Sequence, residues 1–374
     1  MQKLRTIPLS KPFFSKGSRA KILAGIEHIL ESGCLINGEF GEKFEQGHRN
    51  LTGAQEAVAL NSCSTALQIC LQHIDVSGYE VLVPSGSFVA DINVVLQAGG
   101  IPVLVDMNPE TLSFDLNDLK RKLTVKTKAM IWVHLTGLIS GEYKEIISFA
   151  RNHDLFLIED CAHAHGAEIN GQKAGSLGDA GCFSYYPTKI ITSGAGGMLT
   201  TNKRALADYA RTVRYHGRNS DAGEVTEFGN NWYLDEIRAC IGFYQLEELA
   251  QNLERRRQIA SRYNQNLAHQ QDLELILIPE GSKPSYYQYV VILNSRINFP
   301  SLRKVLMEKH GISIKNIYRP THEEPIFRNL DNGSLKVTEK TLHQSLCLPM
   351  FFELTDNQVD KISSAVIQEL RNFK

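Results

Sequence analysis

Short, near-continuous apolar runs alternate with helical spacing along the first half of the chain. The segments EVLVPS (Glu80–Ser85), IPVLVD (Ile101–Asp106), AMIWVH (Ala129–His134), LFLIED (Leu155–Asp160) and AGCFSY (Ala180–Tyr185) each predict a buried strand. Ser64–His73, Ala90–Ala98 and Glu145–Asn152 lie between strands and predict helices. Strands apolar on both faces, alternating with helices, predict an α/β fold with a mostly parallel sheet flanked by helices. Ligands in such sheets bind beyond the carboxyl ends of the strands. Four of these strands end on polar residues, Ser85, Asp106, His134 and Asp160, for each of which a loop or helix-cap role is the plain alternative to chemistry.

Past residue 234 the pattern changes. LDEIRACIGFYQLEELAQNLERRRQIASRYNQNL reads as one long helix, with Leu234, Ile237, Cys240, Ile241, Tyr244 and Leu249 on its apolar face. Arg255, Arg256 and Arg257 read as a solvated segment of it. A strand at Gln288–Leu293 and a terminal helix at Asp356–Phe373, N-capped by Thr355, predict a smaller α+β unit. The expected division is a large domain over residues 1–250 and a small C-terminal domain over 251–374.

Composition removes several function classes. A net charge of −1 on 374 residues gives no electrostatic case for nucleic acid or a membrane surface. Apolar runs fall short of a membrane span, and the N-terminus lacks the apolar core of a signal peptide. Seven scattered cysteines without a CxxC suit reduced thiols in a cytoplasmic protein.

The chemistry narrows to two constellations. His163 and His165, with His134, could be drawn as a metal hydrolase site, but no HExxH or cysteine cluster supports it. No dinucleotide or P-loop glycine motif occurs, and Gly194–Gly197 reads as a turn. The other constellation is Asp160 with Lys189. A carboxylate at the end of a buried strand needs a cation. A protein cation would serve, and so would the protonated ring nitrogen of pyridoxal phosphate, whose aldehyde captures a lysine amine. Hydroxyls for its phosphate stand at Ser184 and in NSCSTALQI (Asn61–Ile69).

The run IEDCAHAHGAEINGQKAGSLGDAGCFSYYPTKIITSGAGGMLTT resembles the signature region of the DegT/DnrJ/EryC1/StrS aminotransferases, pyridoxal-phosphate enzymes of fold type I. The likeness extends from GEFGEKFE (Gly38–Glu45) through VPSGSFVADINVVLQAGGIPVLVD, VHLTG and GNNWYLDEIRACIGFYQLEEL to LCLPMFFELTDNQVDKI. It implies that Lys189 is the Schiff-base lysine and proton carrier, and that Asp160 pairs with the pyridinium nitrogen. It implies that His163 lies beside the ring and its hydroxyl, and that Phe88 stacks on the ring. Ser64, Thr65 and Ser184 match phosphate contacts. Asn231 matches a residue that reaches the phosphate from a neighbouring subunit, so a homodimer with shared active sites is implied.

The resemblance also implies amino transfer in two half-reactions, from glutamate or glutamine to a keto-sugar carried on a nucleotide. A keto-cyclitol is the alternative acceptor. A non-catalytic sensor of the same fold is the reading from another class. Tyr318, His322 and Tyr233 are expected near the acceptor. Three positions depart from the family's common pattern: Tyr233 stands where arginine is frequent, Ala195 where an acid is common, and Thr136 where tyrosine is frequent. Retention of Lys189 argues against the relatives that dehydrate sugars with a histidine in its place.

Overall fold

A computed structural model describes residues 6–219, 223–330 and 333–373. Seven strands form the central sheet: β1 (Glu56–Leu60), β2 (Glu80–Pro84), β3 (Ile101–Val105), β4 (Thr127–Val133), β5 (Phe156–Asp160), β6 (Ala180–Ser184) and β7 (Gly197–Thr201). Their spatial order is β1-β7-β6-β5-β4-β2-β3. Strand β7 runs antiparallel to both neighbours and the remaining pairs are parallel. Five strands fall where the apolar runs predict them. Strands β1 and β7 are additional and complete one edge of the sheet.

Alternate residues of each strand feed two different cores, which is why the strands read as continuously apolar. Val81, Val83 and Ile131 pack on one face with Leu67 and Cys70 of the Cys63–His73 helix and with Ile92 and Val95 of the Ala90–Gln97 helix. Leu82, Met130, Trp132 and Leu157 pack on the other face with Phe40, Phe44, Ile146 and Cys240. The buried indole of Trp132 donates to Ser113 Oγ at 3.1 Å, so its polar atom is satisfied.

The single long helix expected after residue 234 is two helices, Glu236–Glu247 and Leu249–Leu267. Glu248 interrupts them at φ −88°, ψ −5°, with its N–H bonded to Gln245 O at 3.1 Å. Ala239 and Cys240 of the first helix, with Leu249 and Leu253 at the start of the second, face the sheet's second core, whereas Ile259, Ala260, Tyr263 and Leu267 farther along the second enter a third core.

That third core surrounds a small antiparallel sheet ordered β8-β9-β10, with β8 Leu273–Leu275, β9 Tyr289–Leu293 and β10 Ser345–Leu348. The terminal helix Asp356–Leu370 closes it, and a short 3-10 turn, Arg371–Phe373, follows. Thr355 caps that helix, with Gln358 completing a capping box worth about 1 kcal/mol. Ile7 from the chain's start also lies in this core and bridges to Ile312.

The arginine triplet is only partly solvated. Arg256 is buried and donates to Asn252 Oδ1 at 2.9 Å and to Tyr286 O at 3.0 Å. Arg255 donates to Leu354 O and Asp356, and Arg257 to Pro284 O. Free backbone carbonyls at the ends of neighbouring segments draw these guanidinium groups inward. All seven cysteines are free thiols, six of them buried. Among the described residues no helix is long and apolar enough to cross a membrane.

Candidate active site

A cleft of about 510 Å³ opens at the carboxyl ends of the parallel strands. Asp160, His163, Ser184 and Lys189 line it, facing Phe88, Ser64 and Tyr318. Strand register sets the floor: Asp160 is the last residue of β5, opposite Val133 of β4 and Cys182 of β6.

Asp160 Oδ1 accepts the Ala162 N–H at 2.8 Å and the Cys63 thiol at 3.8 Å. Burial pushes its pKa up, while the Ala162 N–H and the charge of Lys189 pull it down. Lys189 stands in the connection from β6 to β7, in a turn closed by its N–H on Tyr186 O at 2.9 Å. Its side chain remains part-exposed along the cleft, but protein crowds the amine. Lost hydration lowers its pKa to about 8, with Asp160 opposing the shift and Lys315 adding to it. Nζ lies 4.6 Å from the centroid of the Tyr287 ring.

The other end of the cleft is the start of the Cys63–His73 helix. Ser62 caps it by accepting the Thr65 N–H at 3.1 Å, and the Thr65 hydroxyl donates to Asn61 Oδ1 at 2.7 Å. Gly197 makes this packing possible, because a Cβ there would stand 2.1 Å from the carbonyl carbon of Ser62. The helix thus brings unpaired N–H groups to the cleft beside the Ser64 and Ser184 hydroxyls, an arrangement suited to phosphate.

His163 is held on both ring nitrogens. The Thr136 N–H donates to Nδ1 at 3.2 Å, so the ring proton sits on Nε2, 2.8 Å from the Tyr318 hydroxyl. Burial and the charge of Lys189 lower its pKa, keeping the ring neutral. Tyr287 stacks on it at 4.1 Å. Thr136 aims its N–H by adopting φ +62°, a left-handed conformation costing of order 1 kcal/mol in a β-branched residue.

An amine with a depressed pKa, a buried carboxylate at a strand end and a hydroxyl-rich helix start are the parts pyridoxal phosphate requires. The buried acids strengthen the fit. Asp91 lies behind Asp160 with both oxygens lacking a hydrogen-bond partner.

Other expected site residues lie elsewhere. Thr65 is behind the cleft wall, its hydroxyl spent on Asn61. Asn231 is exposed, and its carbonyl accepts from the Asn61 side chain at 3.2 Å. Tyr233 bridges to Leu60 and rests near Tyr215, facing a separate depression that includes Asn37 and Arg214. His322 pairs with Glu339 at 3.1 Å, outside the cleft. Ser85 and Asp106 bind Thr338 and the start of the Lys336–Gln344 helix, a structural role.

The three histidines of the hydrolase alternative do not gather as a metal site. His134 pairs with Glu159 at 2.8 Å, and Glu159 also accepts the N–H groups of Gly175, Leu177 and Gly178. The potential metal-binding group among the described residues is His134, Glu159 and Cys161, without His163 or His165. His165 is buried against Phe183 and Tyr185, and burial keeps it neutral. Sequence reasoning missed Tyr287, Lys315, Cys63 and Asp91. Asp91 carries a faint signal, an acid inside the mostly apolar run of VADINVVL.

The family model for the DegT/DnrJ/EryC1/StrS aminotransferase family matches residues 17–367. The UDP-N-acetyl-3-dehydro-alpha-D-glucosamine 3-aminotransferase of Acidithiobacillus ferrooxidans is 34% identical, covering 94% of each chain. The GDP-perosamine synthase of Caulobacter vibrioides is also 34% identical, over 89% of this chain and 91% of that one. The crystal structure of the aminotransferase TlmJ from Streptoalloteichus hindustanus superposes with a TM-score of 0.91 at 30% identity, covering 98% of this chain and 99% of that one. Fold, cleft and relatives agree that this chain belongs to the DegT/DnrJ/EryC1/StrS family of pyridoxal-phosphate-dependent aminotransferases.

Proposed function

We propose that this aminotransferase moves an amino group from glutamate or glutamine to a keto-sugar carried on a nucleotide. The observation that carries the reading is Lys189, an amine brought toward neutrality in the same cleft as the buried Asp160. Curated relatives that act on UDP-, GDP- and dTDP-linked sugars support that acceptor class.

When bound, pyridoxal phosphate supplies an aldehyde for amines and an electron sink for the carbanion. The chain's residues do the rest. Lys189 Nζ would hold the cofactor's aldehyde and, once freed, would take the α-carbon proton and deliver it as general base and acid. Asp160 holds the proton on the ring nitrogen. His163, fixed by Thr136 and Tyr318, presents a neutral ring edge, and Phe88, half-exposed, covers one cofactor face. Ser64, Ser184 and the helix start hold the phosphate, with Thr65 keeping that turn closed. Lys315 lines the cleft with no ion-pair partner among the described residues, and suits a carboxylate or phosphate of a substrate.

The functional unit in this reading is a homodimer. Asn231 reaches the neighbour's phosphate site, while Tyr233 and His322 serve acceptor binding beyond the chain's own cleft. Phe228, fully exposed, and Val225 flank the Asn231 segment, and Leu23 and Leu30 stand exposed on the first helix, Lys16–Ser32. A second copy would cover them. The division near residue 250 leaves Tyr287, Lys315 and Tyr318 as the small domain's share of the cleft wall. Free cysteines suit the cytoplasm.

The test is a titration of the protein with pyridoxal phosphate, followed by absorbance. A visible band that borohydride bleaches, absent in Lys189→Ala, is expected. Glutamate and glutamine added separately identify the donor by loss of that band. Nucleotide-linked keto-sugars and a keto-inositol then compete as acceptors. Turnover of the inositol alone would replace the sugar reading, and absence of the band would overturn the role of Lys189.

A further inference from the structure

Asp91 stands in the first turn of the Ala90–Gln97 helix and is completely buried. Neither carboxyl oxygen is paired with a donor group among the hydrogen bonds of the described residues. An ionised carboxylate cannot be left this way without a large desolvation penalty. The groups that face it are Ser87 from the preceding loop, Cys63 from the adjacent helix, Asp160 from the end of β5, Lys189, and Tyr318. Ser87 directs its hydroxyl to Phe88 O at 3.4 Å. Lys189 is the single cation among these neighbours, and Asp160 shares it.

Two buried carboxyls with one cation between them hold one proton. The surroundings decide which acid keeps it. Asp160 has the Ala162 N–H and the Cys63 thiol to stabilise a negative charge, and it opens to the cleft. Asp91 has neither advantage. We propose that Asp91 is a positioning residue that stays a neutral acid and directs its O–H to Asp160, so that the pair offers one oriented negative charge to the cofactor's ring nitrogen. Burial and the Asp160 charge push the Asp91 pKa up against the opposing pull of Ser87 and Lys189, and a hydrogen bond from Asp91 draws Asp160 down, in keeping with this division. If both acids were ionised, the site would present two negative charges to one pyridinium.

The proton assignment stands apart from the aminotransferase reading, and only its consequence for the cofactor rests on that reading. Infrared difference spectra of the cofactor-free protein near pH 7 test the first part. Wild type minus Asp91→Asn is expected to show the carbonyl band of a protonated carboxylic acid. A difference confined to carboxylate bands would overturn the proposal. So would an acid band that survives in Asp91→Asn and vanishes in Asp160→Asn. Pyridoxal phosphate titration tests the second part. Asp91→Asn retains a donor for Asp160 and is expected to bind within about twofold of wild type, whereas Asp91→Ala weakens binding by about tenfold. Equal affinity of the two variants would remove the positioning role. Wild-type protein that shows the acid band and binds no pyridoxal phosphate would overturn the cofactor reading alone.

Discussion

Lys189 and Lys315 share one cleft, and the Lys315 charge makes protonation of Lys189 less favourable. The lower pKa of Lys189, about 8, places its neutral form within reach of mildly alkaline solution. The rate at which the cofactor-free protein captures pyridoxal phosphate is therefore expected to rise through that pH and level above it. Removing the neighbouring cation favours the protonated amine. Lys315→Gln should move the midpoint of that profile upward by roughly half a unit to one unit. A midpoint that stays in place would show that the two amines do not interact. The same substitution separates Lys315's substrate role, because a weaker apparent affinity for glutamate at pH values where Lys189 is neutral reports lost anion binding.

At the scale of elements, one glycine sets the distance between β7 and the start of the Cys63–His73 helix. Gly197→Ala would force the Ser62 main chain away and move the Ser64 end of the proposed phosphate site. The expected outcome is a loss of at least about tenfold in pyridoxal phosphate affinity with unchanged far-ultraviolet circular dichroism. Unchanged affinity would mean that the helix start does not hold the phosphate.

The elements also show what a sequence can and cannot disclose. Strands β2 to β6 were legible because both faces are buried and each is built around a short apolar run of large or β-branched residues. Strand β1, EAVAL, takes two of its four apolar positions from small alanines, and β7, GMLTT, ends in threonines, so neither shows that pattern. The helix break at Glu248 was hidden because both halves keep helical spacing, and Leu249 and Leu253 continue into the core that holds Ala239 and Cys240. In the site, Lys189 and Asp160 were legible from chemistry and from the family likeness. Tyr287, Lys315 and Asp91 were not, since long-range packing alone brings them to the cleft.

At the scale of the whole molecule, the proposed homodimer with shared active sites makes a distinctive prediction. Lys189→Ala and Asn231→Ala are each expected to be nearly inactive as pure proteins. In a mixed dimer, one cleft combines both defects and the other has neither. Refolding the two variants together in equal amounts should therefore recover up to about a quarter of wild-type activity. No recovery, with mixed dimers demonstrated by mass, would show that Asn231 acts within its own chain or not at all.

The two halves of the chain are also bound within a single copy. Val290, Ile317, Leu342 and Cys347, all beyond residue 250, belong to the same buried cluster as Val81 and Ile131 of the large sheet. Arg256 fastens the second long helix to the carbonyls before β9, next to Tyr287 and hence next to Lys189. This enzyme therefore cannot be taken apart like a pair of beads on a string. Cutting the chain at the helix break would strip one wall from the cleft and bare the sheet's own oily underside, so the seam visible in the sequence is not a place where the protein comes apart.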